Sequence, residues 1–477
     1  NAEYMGNPTQ LESKMGNSNG EFHACLFPLM LRGHTIPFLD MAVLFARNGA
    51  TVTIVTTQNE ASHLSSLVSE SDLNIDFRTL TFPTNKAEHS PDDNMGGVME
   101  LLVQGDLSLS SSLEIILEER KPNCLVYDMF FPWCVDVGER VGVPTVLFGG
   151  TSAISSAIHE CIRRHKPHLN VSADDQPFPV PDIPGDIQMT RARLPAPLIY
   201  DSPIARILDE SKDAETKSHG VLMNTFYDLE GPYVDCLRNQ LGRRVWNIGP
   251  LSLFKKSVEA ERNAKNGRGD HECLKWLDSK KPNSVIYICF GSMVNFTPSQ
   301  LREIASALQN SGLKFVWVVR LPKGSKSGAL EWAPEEFEKG VEGRGMVITG
   351  WAPQVRILEH RAVGGFVTHC GWNSSLEAIS AGVPLVTWPV ISEQFFNEIL
   401  LTQVLKVGVS VGATMWGAKA AVISSEAIER AMERLMVGEE GDDMRNRAGE
   451  LAFLASKAVH GGSSSSDLKA FMDELWI

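Results

Sequence analysis

Short apolar runs rich in β-branched residues alternate with segments of helical period along most of this chain. Residues 23–28 (HACLFP) form the first run. Phe38, Met41, Ala42 and Phe45 follow at i, i+3, i+4 and i+7, the spacing of one helix face, and Gly49 supplies a stop. Residues 51–56 (TVTIVT) predict a strand, as do residues 124–127 and 144–148. The second half repeats the pattern. Residues 285–290 read as a strand, and Thr297 then caps a helix that Pro298 opens. Leu301, Ile304, Ala305 and Leu308 give that helix its apolar face, and Gly312 ends it. Residues 315–319, 347–349, 365–368 and 383–388 complete a second set of strands. Strands and helices in alternation predict an α/β protein with parallel sheets covered by helices.

At 477 residues the chain exceeds one ordinary core and predicts two domains. Residues 243–254 (RRVWNIGPLSLF) combine turn residues with little periodicity. The boundary is placed near Gly249 and Pro250, giving an N-terminal unit of residues 21–248 and a C-terminal unit of residues 249–460. Residues 84–97, 173–185 and 259–269 read as long loops. The first two are positioned to frame a small-molecule pocket, and the third reads as surface. Residues 1–14 are polar and patternless and read as a leader ahead of a natural start at Met15. Residues 463–466 are a serine tract, the one low-complexity stretch.

Hydrophobic content of 43% and charged content of 21% fit a globular protein. The net charge of −14 argues against a nucleic-acid partner. No apolar run approaches the roughly 18 residues that span a bilayer, so no integral membrane association is expected. The eight cysteines are scattered without a C-x-x-C pair. They read as reduced thiols of a cytoplasmic protein rather than metal ligands.

The chemistry concentrates in residues 351–394, WAPQVRILEHRAVGGFVTHCGWNSSLEAISAGVPLVTWPVISEQ. A buried strand over residues 365–368 runs into His369, a turn through Cys370 and Gly371, and a helical pattern (Leu376, Ile379, Ser380) that stops at Gly382. A strand, a tight turn and a helix N-terminus present free N–H groups and a positive dipole end to an anion. Gly371 admits close approach, and His369, Asn373 and Ser374 add side-chain donors. The plainer alternative makes Asn373 or Ser374 an ordinary helix cap.

This block resembles the donor-binding box of plant family 1 glycosyltransferases, which move a sugar from a UDP-sugar to small molecules. The resemblance extends from about His23 onward. It includes FPLMLRGHTIPFLDMA, CLVYD, CLKWLDSKKPNSVIYICFGS and GRGMVITGWAPQ. It implies the GT-B architecture, two facing doubly wound Rossmann-like domains, with a last helix within residues 461–477 crossing back to the N-terminal domain. It also implies site residues. Trp351 stacks on uracil, Ala352 meets the base edge through its backbone, and Gln354 lies near the ribose. Glu377 accepts from the ribose hydroxyls. Ser292, His369, Asn373 and Ser374 hold phosphate, and Trp372, Glu393 and Gln394 meet the sugar. Glutamine at position 394 accompanies UDP-glucose, which makes glucose the expected sugar and UDP-glucose a co-substrate rather than a cofactor. Glu393 stands where relatives often carry aspartate. Gly149 and Gly150 stand near where relatives often offer the sugar a hydroxyl.

Sugar transfer to a hydroxyl needs a base for its proton and stabilisation of the leaving diphosphate. His34 lies in a loop after the first strand, at the edge where open α/β sheets place ligands. An imidazole with a pKa near 6.5 accepts a proton at neutral pH. Asp128 ends the CLVYD strand, where it can fix the tautomer of His34 and stabilise its charged form. The catalytic pair of the resembled family falls on these two positions. His23, at the opposite end of its strand, reads as structural. No D-x-D metal motif occurs, which points to metal-independent, in-line displacement giving a β-glucoside. Phe130, Phe131, Trp133, Phe148, Met95, Met99 and Met189 are candidates for an apolar acceptor pocket, suited to a flavonoid, other phenolic, triterpenoid or steroid alcohol. A dinucleotide-dependent dehydrogenase would need G-x-G-x-x-G after an early strand, which is absent. A non-catalytic binder on the same scaffold, or an enzyme using another UDP-sugar, stays open.

Overall fold

The computed structural model describes residues 21–68, 73–80, 106–254, 271–320, 337–417 and 420–476. The expectations for residues 1–14, 84–97 and 259–269, and for Met95 and Met99, lie outside these described residues.

The apolar runs form two parallel sheets. The first contains β1 (His23–Phe27), β2 (Thr51–Thr56), β3 (Ile75–Thr79), β4 (Cys124–Asp128) and β5 (Thr145–Gly149). After a short antiparallel ribbon, β6 (Pro177–Pro179) and β7 (Gln188–Thr190), it is completed by β8 (Gly220–Met223) and β9 (Val245–Asn247). Its strand order is β3-β2-β1-β4-β5-β8-β9. The chain thus winds outward from β1, returns to β4 on the other side of β1, and winds the opposite way. The second sheet contains β10 (Val285–Cys289), β11 (Lys314–Val319), β12 (Gly345–Thr349), β13 (Val363–Thr368), β14 (Leu385–Thr387) and β15 (Gly408–Ser410). Its order, β12-β11-β10-β13-β14-β15, reverses in the same way between β10 and β13. Residues of β1, β4, β5 and β13 are almost all buried, as expected for strands covered on both faces.

The first helix, Arg32–Arg47, buries Phe38, Met41, Ala42 and Phe45, the face read from the sequence, but starts well before it. It therefore contains Pro37, which has no N–H to give the carbonyl of Gly33 its usual helical partner. Thr297 caps the helix Pro298–Asn310 by accepting from the Gln300 N–H, as its sequence predicts. The serine tract at residues 463–466 is helical. It forms the first turn of the last helix, Ser463–Leu475, and the Ser464 hydroxyl donates to the Gly249 carbonyl at 2.6 Å. Residues 173–185 are not wholly loop either, because β6 lies within them.

That last helix lies on the first sheet although all six strands of the second precede it. Phe471 is fully buried, with ring centroids 6.3 Å from Phe22, 5.8 Å from Phe45 and 5.3 Å from Trp246. Asp467 accepts from the Asn247 N–H at 2.8 Å. Phe471→Ala should therefore cost about 3–5 kcal/mol, the usual range for a buried aromatic truncated to alanine. Urea denaturation measures it, and a loss below about 1 kcal/mol would mean that this ring does not anchor the helix.

Candidate functional site

The two winding reversals each leave a crevice at the carboxyl edge of a sheet. In the first sheet that crevice lies between β1 and β4, and both expected catalytic side chains stand on it. His34 is in the first turn of the helix Arg32–Arg47, not in a loop as its sequence suggests. Its Nδ1 is 2.8 Å from Asp128 Oδ2. Asp128, the last residue of β4, is fixed by two further bonds. Its Oδ2 accepts from the Leu29 N–H at 3.3 Å and its Oδ1 from the Phe130 N–H at 3.2 Å. Burial works against a charge on His34, but the Asp128 carboxylate, its hydrogen bond and the more distant Glu393 outweigh it and raise the pKa. The Phe130 ring stands edge-on to the imidazole at 5.6 Å.

The second crevice lies between β10 and β13. His369 follows β13, Cys370 takes a left-handed φ of 63°, and Gly371 begins the helix Trp372–Ala381. No side chain caps this helix, so neither Asn373 nor Ser374 plays the plain capping role. The His369 ring is held between two glycines. A Cβ on Gly371 would lie 2.4 Å from its Nε2, and one on Gly291 would lie 2.7 Å from its Cε1. Burial pushes the His369 pKa down to about 4, so this imidazole is neutral near pH 7. Ser292 lies in the turn past β10 rather than at the strand end.

Gln354 ties the outer part of this crevice together. Its amide nitrogen donates to Glu377 Oε2 at 2.8 Å and to Ser374 Oγ at 3.0 Å, and its Oε1 accepts from the Tyr287 hydroxyl at 3.3 Å. Trp351, just past β12, is 69% exposed, so its ring is an open face and not a core residue. The Ala352 carbonyl accepts from the Gln354 N–H at 2.9 Å.

Trp372, by contrast, is buried, and its indole N–H donates to the Asn224 carbonyl at 2.8 Å. Gln394 is also buried, with its Oε1 accepting from the Val390 and Ile391 N–H groups at 2.8 and 2.9 Å. Glu393 is half-buried, which raises its pKa, and its Oε1 accepts from Asn397 at 3.3 Å. Among the acceptor-pocket candidates, Phe131, Phe148 and Met189 are core residues, packed too tightly to face a ligand. Phe130 and Trp133 are half-buried.

Sequence reasoning missed Asn397, which is fully buried where the two halves meet. Its Oδ1 accepts from the Ser152 and Ser155 hydroxyls at 2.6 and 2.8 Å, and its Nδ2 donates to the Cys370 carbonyl at 2.8 Å. The one available signal was an amide one helical turn beyond Glu393 and Gln394. A second link is Asn373, whose Nδ2 donates to the Gly33 carbonyl at 2.8 Å. The two crevices are thus brought face to face. Among the described residues, no group of three or more His, Cys, Asp or Glu side chains is arranged to hold a metal ion. No helix among them is long and apolar enough to cross a membrane.

Comparison with known proteins places this arrangement. The family model for UDP-glucoronosyl and UDP-glucosyl transferases matches residues 241–444. The scopoletin glucosyltransferase of Nicotiana tabacum is 42% identical over 475 residues, covering 96% of this chain and 98% of that protein. The anthocyanin 3'-O-beta-glucosyltransferase of Gentiana triflora is 43% identical, covering 95% and 98%. The crystal structure of Glycyrrhiza uralensis UGT73P12 complexed with glycyrrhetinic acid 3-O-monoglucuronide superposes with a TM-score of 0.88 at 36% identity, covering 96% of each chain. With this fold and this likeness over nearly its whole length, the chain belongs to the plant family 1 UDP-glycosyltransferases and is an enzyme of GT-B architecture.

Proposed function

We propose that this enzyme transfers glucose from UDP-glucose to a hydroxyl of a hydrophobic small molecule, with inversion and without a metal ion. The supporting observation is the opposition of two crevices, one carrying a base bonded to a carboxylate and the other an exposed tryptophan beside a helix N-terminus. The relatives named for scopoletin and anthocyanin suggest a phenolic or flavonoid acceptor, and the complex with a glycyrrhetinic acid glucuronide favours triterpenoids as well. Residues 21–248 with 461–477 form the acceptor unit, and residues 249–460 the donor unit. A nucleotide-sugar donor and eight cysteines that form no disulfide suit a reducing, cytoplasmic setting.

In this reading His34 Nδ1 donates to Asp128, which leaves Nε2 free to take the acceptor's proton. The acceptor oxygen then attacks the anomeric carbon as its bond to the diphosphate breaks, and the bonding pair leaves with UDP. Asp128 stabilises the imidazolium that forms. The N–H groups that open the helix Trp372–Ala381, with Ser292, Asn373, Ser374 and a neutral His369, stabilise the charge on the leaving group. Trp351 stacks on the base, Ala352 meets the base edge, and Gln354 and Glu377 hold the ribose. Trp372, Glu393 and Gln394 bound the sugar. Because Gln394 Oε1 and the Trp372 indole are committed to the backbone and Glu393 Oε1 accepts from Asn397, the sugar is met by the Gln394 amide nitrogen and Glu393 Oε2.

A UDP-release assay with UDP-glucose, EDTA and a panel of flavonols, phenols, triterpenoids and steroids tests the reading. Turnover is expected with at least one class, and the product should show a β-anomeric linkage by NMR. An α-linkage, a requirement for metal or a preference for another UDP-sugar would overturn the corresponding part. UDP binding without turnover would leave a binder. Trp351→Ala should weaken UDP roughly tenfold or more, as loss of a stacked base usually does. Calorimetry that shows unchanged UDP affinity would remove Trp351 from the donor site.

His34→Ala should lower turnover by roughly 10²-fold or more. The pH profile gives a finer test. The base works when neutral and its pKa is raised, so kcat/KM should climb with pH on a limb that lies above the usual 6.5. Asp128→Asn removes the largest raising influence. Its limb should move to lower pH while its plateau falls. A limb that stays in place would show that another group is titrating.

A further inference from the structure

The first helix carries a proline in its interior, where helices normally exclude one. Pro37 is buried on the helix Arg32–Arg47. In a regular helix the N–H of residue 37 would bond the carbonyl of residue 33. Proline has no N–H, so Gly33 keeps a carbonyl without its helical donor. That carbonyl accepts from Asn373 Nδ2 at 2.8 Å, a side chain on the helix that follows β13 of the other sheet.

The peptide involved is the one that leads into the base. The Gly33 carbonyl and the His34 N–H belong to a single planar unit. The His34 N–H donates to the Leu31 carbonyl at 2.8 Å. The peptide is therefore clamped at both ends, by Leu31 within its own turn and by Asn373 from across the cleft. Its orientation sets where the His34 ring meets Asp128. The Asn373 amide carries two hydrogens. One is spent on Gly33, and the second suits a diphosphate oxygen of the donor.

We propose that Pro37 is a positioning residue for catalysis: by withholding its N–H it reserves the Gly33 carbonyl for Asn373, so that the donor box holds the base-bearing turn. One amide then joins the donor's diphosphate to the peptide that aims His34. This rests on the reading of Asn373 as a diphosphate ligand and His34 as the base. Restoring an N–H at position 37 should draw the Gly33 carbonyl into the helix and, by competing for its lone pairs, weaken its bond to Asn373.

The test is a cycle of Pro37→Ala and Asn373→Ala in the full-length enzyme at saturating UDP-glucose. Pro37→Ala should lower kcat about tenfold, the scale expected when a reacting group is misplaced. Its thermal midpoint should fall little, because alanine suits a helix interior better than proline. The acid limb of its pH profile should also move down, as the His34–Asp128 bond loosens. Pro37→Gly restores the same N–H in a weaker helix former, so it should show the same kcat loss with a lower midpoint. In the Asn373→Ala background, Pro37→Ala should have almost no further effect on kcat, because the two act through one bond. Losses that multiply would overturn the proposal, as would a Pro37→Ala enzyme with wild-type kcat and pH profile. Failure of the underlying reading looks different. It would show as an Asn373→Ala variant with unchanged UDP affinity, or a His34→Ala variant with full turnover.

Discussion

In both sheets the chain winds outward from one strand and then returns to that strand's other side. Helices therefore leave the carboxyl edge in opposite directions, and a crevice opens between two adjacent strands. Every expected reacting group depends on that constraint. His34 and Asp128 face each other because β1 and β4 are neighbours, with Phe27 level with Tyr127 one residue before Asp128. His369 meets the Gly291 turn because β10 and β13 are neighbours, with Cys289 level with Thr368. Residues about 95 apart in the first case and 80 in the second become partners through strand order alone.

Three polar side chains help hold the two crevices at a fixed separation, beside an apolar core that runs through both halves. The Trp372 indole bonds the Asn224 carbonyl, Asn397 gathers Ser152, Ser155 and the Cys370 carbonyl, and Asn373 meets Gly33. An apolar contact tolerates sliding with little penalty. A buried amide does not, because a lost partner costs about 1–3 kcal/mol. Such a seam therefore defines one arrangement more sharply than a greasy one of equal area. It also reaches the chemistry directly. Cys370 is a non-glycine residue in the left-handed region, and the bond from Asn397 to its carbonyl stabilises the turn from which the helix Trp372–Ala381 starts.

Much of this was legible in the sequence because the signals were local. The run TVTIVT and the strand Thr51–Thr56 coincide, and Thr297 and Pro298 mark their helix start correctly. Edge strands such as Ile75–Thr79 and Gly408–Ser410 escaped because, unlike the equally short but largely apolar central strands, they mix polar and exposed positions into their few residues. The start of the first helix escaped for a different reason. Gly33 and Pro37 are turn signals by composition, yet here an external hydrogen bond and buried packing override that preference. Asn397 escaped because its partners lie 27 and about 240 residues away. The donor box was readable as a motif, but a motif does not report which of its atoms the backbone already occupies. Gln394 shows the difference, with its carbonyl oxygen committed to two N–H groups of its own turn.

The two histidines expected in the site sit in environments that would suit one side-chain type to two tasks. His369 is enclosed by backbone and two glycines, so burial acts unopposed and the ring stays neutral. A neutral imidazole donates one hydrogen bond and keeps that proton firmly, since only the charged form gives one up easily. In the proposed reading it would steady the leaving group as a dipole, leaving most of the charge stabilisation to the helix N-terminus. His34 suffers the same burial but faces Asp128 directly and Glu393 at longer range, and the carboxylates win. A ring so placed gains basicity, so it takes a proton from a hydroxyl more readily than free imidazole does. The cost is that more of it is already protonated at a given pH. Glu393 adjusts that balance. Burial raises its own pKa, and only its ionised form adds to the basicity of His34. Protonation of the residue expected to hold the sugar would therefore lower the basicity of the residue expected to take the acceptor's proton, which couples donor recognition to proton transfer through charge alone.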